Sequence, residues 1–143
     1  CKENDAGMFV TAWQARIDLA KAKLSYANAG HNPPLIKHKG GKFEFIKCKA
    51  NMVLATVEGI TYNEHELDLE KGDIIFLYTD GVTEAINNSN EQFGEDRLQK
   101  ALNEVKNPTS KDLADNVYKR LIEFTDGAAQ FDDITMVAFI YKG

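Results

Sequence analysis

The stretch Ile74-Ile75-Phe76-Leu77-Tyr78-Thr79-Asp80-Gly81 decides how the rest of the chain is read. Its apolar run is short and β-branched at the start, which predicts a strand covered on both faces rather than an amphipathic helix. Lys71-Gly72-Asp73 feeds it as a polar turn, and Asp80-Gly81 ends it. A carboxylate at the mouth of a rigid strand is held in place, while Gly81 lets the chain turn sharply. The same dipeptide is also an ordinary turn signal, so alone it assigns no chemistry.

Upstream, Met8 to Phe45 is strand-like, broken by turn chemistry at Lys21-Ala22-Lys23, Asn32-Pro33-Pro34 and Gly40-Gly41, which predicts consecutive hairpins. Phe9, Trp13, Ile17 and Leu19 fall on one face, opposite Gln14, Arg16 and Asp18, and Phe9 and Trp13 are expected in the core. Residues 49–61 read mostly as loop, and Tyr62 to Leu69 alternates moderately. Downstream the period changes. Leu98, Ala101, Leu102 and Val105 recur at helical spacing, and Thr109 with Asp112 forms a capping box that opens a second helix. That helix carries the stripe Leu113, Val117, Leu121 and Phe124, and a last strand covers about Ile134 to Tyr141. Strands, two helices and a strand predict an α+β layered fold, read as a single domain over 1–143.

The chain has 143 residues, 43% hydrophobic and 27% charged, so it can bury roughly two thirds of its unfolded surface without disulfide or metal staples. A net charge of −5 argues against nucleic acid as a partner. No apolar run reaches the roughly 18–20 residues of a membrane span, and no signal-peptide layout stands near the start. Cys1 and Cys48 lack C-x-x-C spacing and are too few for a disulfide framework, which predicts a reducing, cytoplasmic setting. Cys1 in place of an initiating Met, followed closely by strand-like sequence, leads us to expect a piece of a longer protein.

Asp132-Asp133 precedes the last strand. Adjacent carboxylates repel unless solvent, donors or a cation offset their charge, and a hard ion such as Mg²⁺ or Mn²⁺ suits oxygen donors with water completing the shell. A solvated acidic loop is the plainer alternative. If the strands that end at Asp80 and begin after Asp133 are neighbours, three carboxylates converge at one sheet edge. Ala29-Gly30-His31-Asn32-Pro33-Pro34 places a His and an Asn in a Gly and Pro turn, where backbone bonding is the commoner role. His38 and His65 are expected at the surface, and Cys48 as a small core or edge side chain. No phosphate loop, dinucleotide fingerprint or nucleophile elbow is present, which leaves hydrolysis by metal-activated water open.

Four strings, in this order, resemble the SpoIIE-type family of metal-dependent protein serine/threonine phosphatases: Phe9-Val10-Thr11-Ala12, Tyr26-Ala27-Asn28-Ala29-Gly30-His31-Asn32-Pro33-Pro34, Leu77-Tyr78-Thr79-Asp80-Gly81-Val82-Thr83-Glu84-Ala85, and Asp132-Asp133-Ile134-Thr135. Lys71-Gly72-Asp73, Phe93-Gly94 and Arg97-Leu98 fit the same pattern, so the likeness runs through nearly the whole chain.

The resemblance implies a four-layer αββα fold of the PPM-phosphatase kind, an antiparallel β-sandwich flanked by helices, of which this chain would be the C-terminal part. It implies Asp80 and Asp132 as metal ligands, Asp133 as a weaker third, and two Mn²⁺ or Mg²⁺ ions in the intact domain whose bridging water attacks a phosphoserine or phosphothreonine in line. His31 and Asn32 would be loop structure, and Gly81 and Glu84 would support the turn at Asp80. The family also has an upstream Asp followed closely by Gly-His-Gly, which is not within this sequence, so metal binding by these 143 residues should be weak or absent and their activity doubtful. Leu54-Ala55 stands where, by the resemblance, the family usually has Leu-Gly. The implied partner is a bacterial regulatory phosphoprotein such as an anti-sigma-factor antagonist. Membrane anchoring through upstream segments and self-association through uncovered sheet edges are further expectations. The rival reading is a non-catalytic phosphatase-fold module that binds such a partner without hydrolysing it.

Overall fold

The computed structural model describes residues 4, 6–49, 51–130 and 132–143, so the expectation for Cys1 lies outside the described residues. In chain order the elements are β1 (Ala12–Asp18), β2 (Lys23–Ala29), β3 (Leu35–Lys37), β4 (Phe43–Phe45), β5 (His65–Asp68), β6 (Ile74–Tyr78), α1 (Asp80–Thr83), α2 (Gly94–Glu104), α3 (Ser110–Thr125) and β7 (Met136–Ile140). They fall into two units, Cys1–Pro33 with Lys47–Glu70 and Gly143, and Pro34–Ile46 with Lys71–Lys142.

The first unit is an antiparallel sheet in the order β1-β2-β5. Register pairs Trp13 with Asn28, Ala15 with Tyr26 and Ile17 with Leu24, which puts these on one face and Gln14, Arg16 and Asp18 on the other. On the first face the rings of Trp13, Tyr26 and His65 stack, with centroids 5.6 and 5.3 Å apart. Burial pushes the Tyr26 hydroxyl above its ordinary pKa, and the nearby Cys48 thiol adds to the shift. His65 is therefore not a free surface residue: its ring is packed on Tyr26 and its Nε2 is buried with no partner among the described residues. Phe9 departs from expectation in the other direction. It is 60% exposed, because the described residues before Ala12 make only the single bridge from Val10 to Leu54 and have no described strand beside them. Leu19, in the turn after β1, is exposed as well.

The hairpins β1-β2 and β3-β4 form as the turn signals predict, but Asn32-Pro33-Pro34 does not close a third. There the chain leaves one sheet for the other, since β2 pairs with β1 and β5 while β3 pairs with β4 and β6. Prolines cannot donate to a ladder, so a Pro-Pro step suits a crossing as well as a turn.

The second unit is a sheet in the order β4-β3-β6-β7 with the helices on one face. Leu35, Phe43, Ile74, Phe76 and Tyr78 from the strands meet Leu98 and Leu102 of α2 and Leu113, Val117 and Leu121 of α3, all nearly fully buried. Each such side chain contributes roughly 1.5–3 kcal/mol by leaving water, which makes this face the main source of the unit's stability. Ile75, on the opposite face of β6, is buried too, as the apolar run predicts. The capping box of α3 is present, with the Thr109 side chain accepting from the Asp112 N–H and the Asp112 carboxylate accepting from the Thr109 N–H. His38 keeps an exposed ring, yet its Nδ1 lies 2.8 Å from the Asp73 carboxylate, whose side chain is wholly buried and also accepts the Lys39 N–H at 3.0 Å. The two antiparallel sheets and the helices make an α+β fold of the expected class. Among the described residues no helix is long and apolar enough to cross a membrane.

Candidate metal centre

Strand pairing brings the two acidic motifs together. β6 and β7 are antiparallel neighbours, with Tyr78 opposite Met136, so the end of one strand lies beside the beginning of the other. Asp80 follows Tyr78 by two positions and Asp132-Asp133 precede Met136 by four and three, so both motifs emerge at the same end of the same strand pair.

Thr79 fastens them. Its N–H donates to the Thr135 carbonyl at 3.0 Å, its Oγ1 donates to the Asp133 carbonyl at 2.9 Å, and the same oxygen accepts the Thr135 N–H at 3.0 Å. Because a side chain takes the Thr135 N–H, the regular ladder of β7 begins at Met136 rather than at Ile134. Thr79 then serves as the extended N-cap residue of α1, and Asp80-Gly81 open that short helix instead of a simple turn. Glu84 closes it, its N–H donating to the Asp80 carbonyl at 2.8 Å.

Gly81 is where the backbones touch. A Cβ there would sit 2.5 Å from the Asp133 carbonyl oxygen, closer than packed atoms allow, and a tight 3.3 Å from that of Asp132. Only glycine admits this approach.

The carboxylates of Asp80, Asp132 and Asp133 are exposed. Asp80 Oδ1 accepts the Gly81 N–H at 3.1 Å, and Asp132 Oδ1 accepts the Asp133 N–H at 2.6 Å. Gln130 Nε2 holds the Asp132 carbonyl at 2.8 Å. No group of three or more His, Cys, Asp or Glu that could hold a metal is assembled among the described residues. The donor set is nonetheless of the right kind for a hydrated hard cation: all oxygen, on two strand ends locked together, with room for water, which is how Mg²⁺ is commonly held by one or two carboxylates. The residues fit such an ion as a partial ligand set.

His31 and Asn32 belong to the first unit. The His31 N–H donates to Asn28 Oδ1 at 2.7 Å, Asn28 Nδ2 donates to the His31 carbonyl at 2.9 Å, and His31 Nδ1 is 3.1 Å from Thr11 Oγ1. These contacts hold the loop. Gly30 between them has φ +71°, and a Cβ there would meet Val53 Cγ1 at 2.5 Å. Thr79 and Asn28 are the two side chains whose importance sequence reading overlooked. Thr79 looked like the last β-branched residue of a strand, and Asn28, 2% exposed, was hidden by its place in an alternating pattern. A buried Asn three residues before a His in a Gly turn is the signal that could have found the second.

Residues 1–142 match the family described as stage II sporulation protein E (SpoIIE). Protein IcfG of Synechocystis sp. is 36% identical over 142 residues, which is 99% of this chain and 22% of that protein. Phosphoserine phosphatase RsbU of Bacillus subtilis is 32% identical over 139 residues, 96% of this chain and 41% of its own length. The chain thus spans less than half of either relative. Among solved structures, the SiaA-PP2C domain of Pseudomonas aeruginosa superposes with a TM-score of 0.82 at 21% identity, covering 98% of this chain and 55% of that one. The phosphatase domain of the cell fate determinant SpoIIE from Bacillus subtilis, presoaked with Mn, gives 0.70 at 19%, covering 92% and 56%. At these identities the structures speak for the fold, and the family match covers nearly the whole chain. The chain belongs to the SpoIIE family, and its fold is that of part of a PP2C-type phosphatase domain.

Proposed function

We propose that this chain is the C-terminal part of a metal-dependent phosphatase domain acting on phosphoserine or phosphothreonine of a regulatory protein, with an anti-sigma-factor antagonist as the partner class, on the cytoplasmic side. The observation that carries the reading is the lock between Thr79 and Asp133, which sets Asp80 and Asp132 on adjoining strand ends. The 32% identity to a protein named phosphoserine phosphatase supports the same chemistry.

In this reading Asp80 and Asp132 hold Mn²⁺ or Mg²⁺, with Asp133 as a less direct third, and the remaining ligands come from residues beyond this sequence. A bound divalent ion supplies Lewis acidity, lowering the pKa of water and offsetting charge on phosphoryl oxygens. The chain's own contribution is preorganisation. Thr79 fixes the separation of the two strand ends, Gly81 lets their backbones approach, and Glu84 and Gln130 pin the carbonyls of Asp80 and Asp132. The shortage of protein donors among the described residues is also what a non-catalytic binding module with this fold would present.

The test is hydrolysis of p-nitrophenyl phosphate and of a phosphoserine peptide with Mn²⁺ by the protein that carries this domain. Asp80→Asn and Asp132→Asn should each lower turnover by about 100-fold or more, since several kcal/mol of charge stabilisation are removed. Turnover indifferent to both substitutions would refute the assignment of ligands, and no turnover at all would favour the binding module. Robust Mn²⁺-dependent turnover by the 143 residues alone would overturn the need for outside ligands.

A further inference from the structure

The second unit contains a cavity of ≈ 450 Å³ that adjoins the candidate metal centre. Its walls are mainly apolar, from Ala85, Ile86, Leu121, Ile122, Ala128 and Ile134. Gly81 and Asp132 line it as well, and these are residues at which the two strand ends meet. Size, apolar lining and a few polar groups are the attributes of a ligand site. A hydrated cation has no use for such walls, because it is held by oxygen, and a phosphate group brings only oxygen. The part of a substrate that matches them is whatever lies beside the phosphate.

We infer that this cavity receives an apolar side chain of the substrate polypeptide, one or two residues from the phosphoserine; the inference rests on the phosphatase reading above. The reach is set by chain geometry, since consecutive residues of an extended segment are about 3.3 Å apart and the cavity shares Gly81 and Asp132 with the candidate metal centre. Charge sets the rest of the preference. Glu84 and Asp132 both line the cavity and are exposed, so an acidic neighbour of the phosphoserine meets like charge there, whereas a Leu or Phe buries apolar surface without cost. The cavity thereby selects against phosphoproteins whose site is flanked by Asp or Glu.

The experiment measures, with Mn²⁺ present, binding of fluorescent peptides that carry a non-hydrolysable phosphonate in place of the phosphoserine, with Leu or Asp beside it, to the protein that carries this domain. The Leu peptide should bind about tenfold more tightly, the discrimination an apolar pocket supplies. Ala128→Phe, which fills the cavity, and Ile122→Lys, which places a cation on its wall at a half-exposed position and offsets Glu84 and Asp132, should each erase that difference. The second variant keeps the test alive if the first does not fold. Equal affinity for the two peptides, or a preference that survives both variants, overturns the inference. Hydrolysis of p-nitrophenyl phosphate, which has no flanking residue, reports on the phosphatase reading alone and should be unchanged in both variants. A loss there would place the cavity in the catalytic geometry and overturn the subsite, while absence of hydrolysis in the unsubstituted protein sinks the phosphatase reading and leaves the peptide comparison to decide the cavity.

Discussion

Thr79 Oγ1 donates to the Asp133 carbonyl at 2.9 Å and accepts the Thr135 N–H at 3.0 Å, so a single hydroxyl satisfies two backbone groups of a loop more than fifty residues away in sequence. Thr79→Val keeps the shape and removes the hydroxyl. It should destabilise the protein by about 1–3 kcal/mol in urea unfolding, the cost of stranding backbone groups. In the protein that carries this domain, Mn²⁺ affinity measured by calorimetry should fall about tenfold or more, the usual cost of losing a group that orients metal ligands. Thr79→Ser should restore most of both, and full retention in the Val variant would show that the lock is dispensable.

Gly81→Ala tests the same junction sterically. The added methyl would lie 2.5 Å from the Asp133 oxygen, a backbone atom that cannot swing aside, so the strand ends must part. A loss of about 1–3 kcal/mol is expected from overpacking. Unchanged thermal unfolding and unchanged Mn²⁺ binding would contradict the close approach.

Ala55 has φ +67°, in the left-handed region where a side chain costs about 1–2 kcal/mol. The chain thus keeps at Ala55 a backbone that glycine takes without steric cost. Ala55→Gly relieves that strain but adds about 0.4–1 kcal/mol of unfolded-state entropy, so a net gain of about 0.5 kcal/mol is expected. A clear loss of stability in denaturant unfolding would show that the Ala55 methyl is doing something else.

Much of this was legible beforehand, and the reason is local. The burial of Ile74-Ile75-Phe76 on both faces, the stripes of α2 and α3 and the Thr109–Asp112 box are all written within one turn or a few alternations of the chain. What escaped is non-local. Nothing in Asn32-Pro33-Pro34 tells whether the next strand pairs with the last, and Thr79 acquires its role only from the β6–β7 register, which joins segments some sixty residues apart. The acidic motifs could be named from sequence, but their meeting depended on that register. His65 was misplaced for a related reason, since polar neighbours in β5 concealed a ring that packs across two strands.

The α3 cap predicts an acid response. Hydrogen bonds from the Thr109 side chain and N–H hold the Asp112 carboxyl below its ordinary value of 3.8. A depressed folded pKa stabilises the native state above the unfolded value and loses that contribution as pH falls below about 3.8 through the folded one. The difference in urea midpoint between the unsubstituted protein and Asp112→Asn should therefore be constant at neutral pH and shrink below pH 4. A gap that widens on acidification would contradict the capping box.

The stack of Trp13 on Tyr26 has an optical consequence. Trp13 is the chain's one tryptophan and sits in the first unit, whereas the three helices among the described residues belong to the second. Indole emission therefore follows the melting of one sheet while ellipticity at helical wavelengths follows the other half of the molecule, and two curves recorded on one sample reveal whether the halves come apart in step.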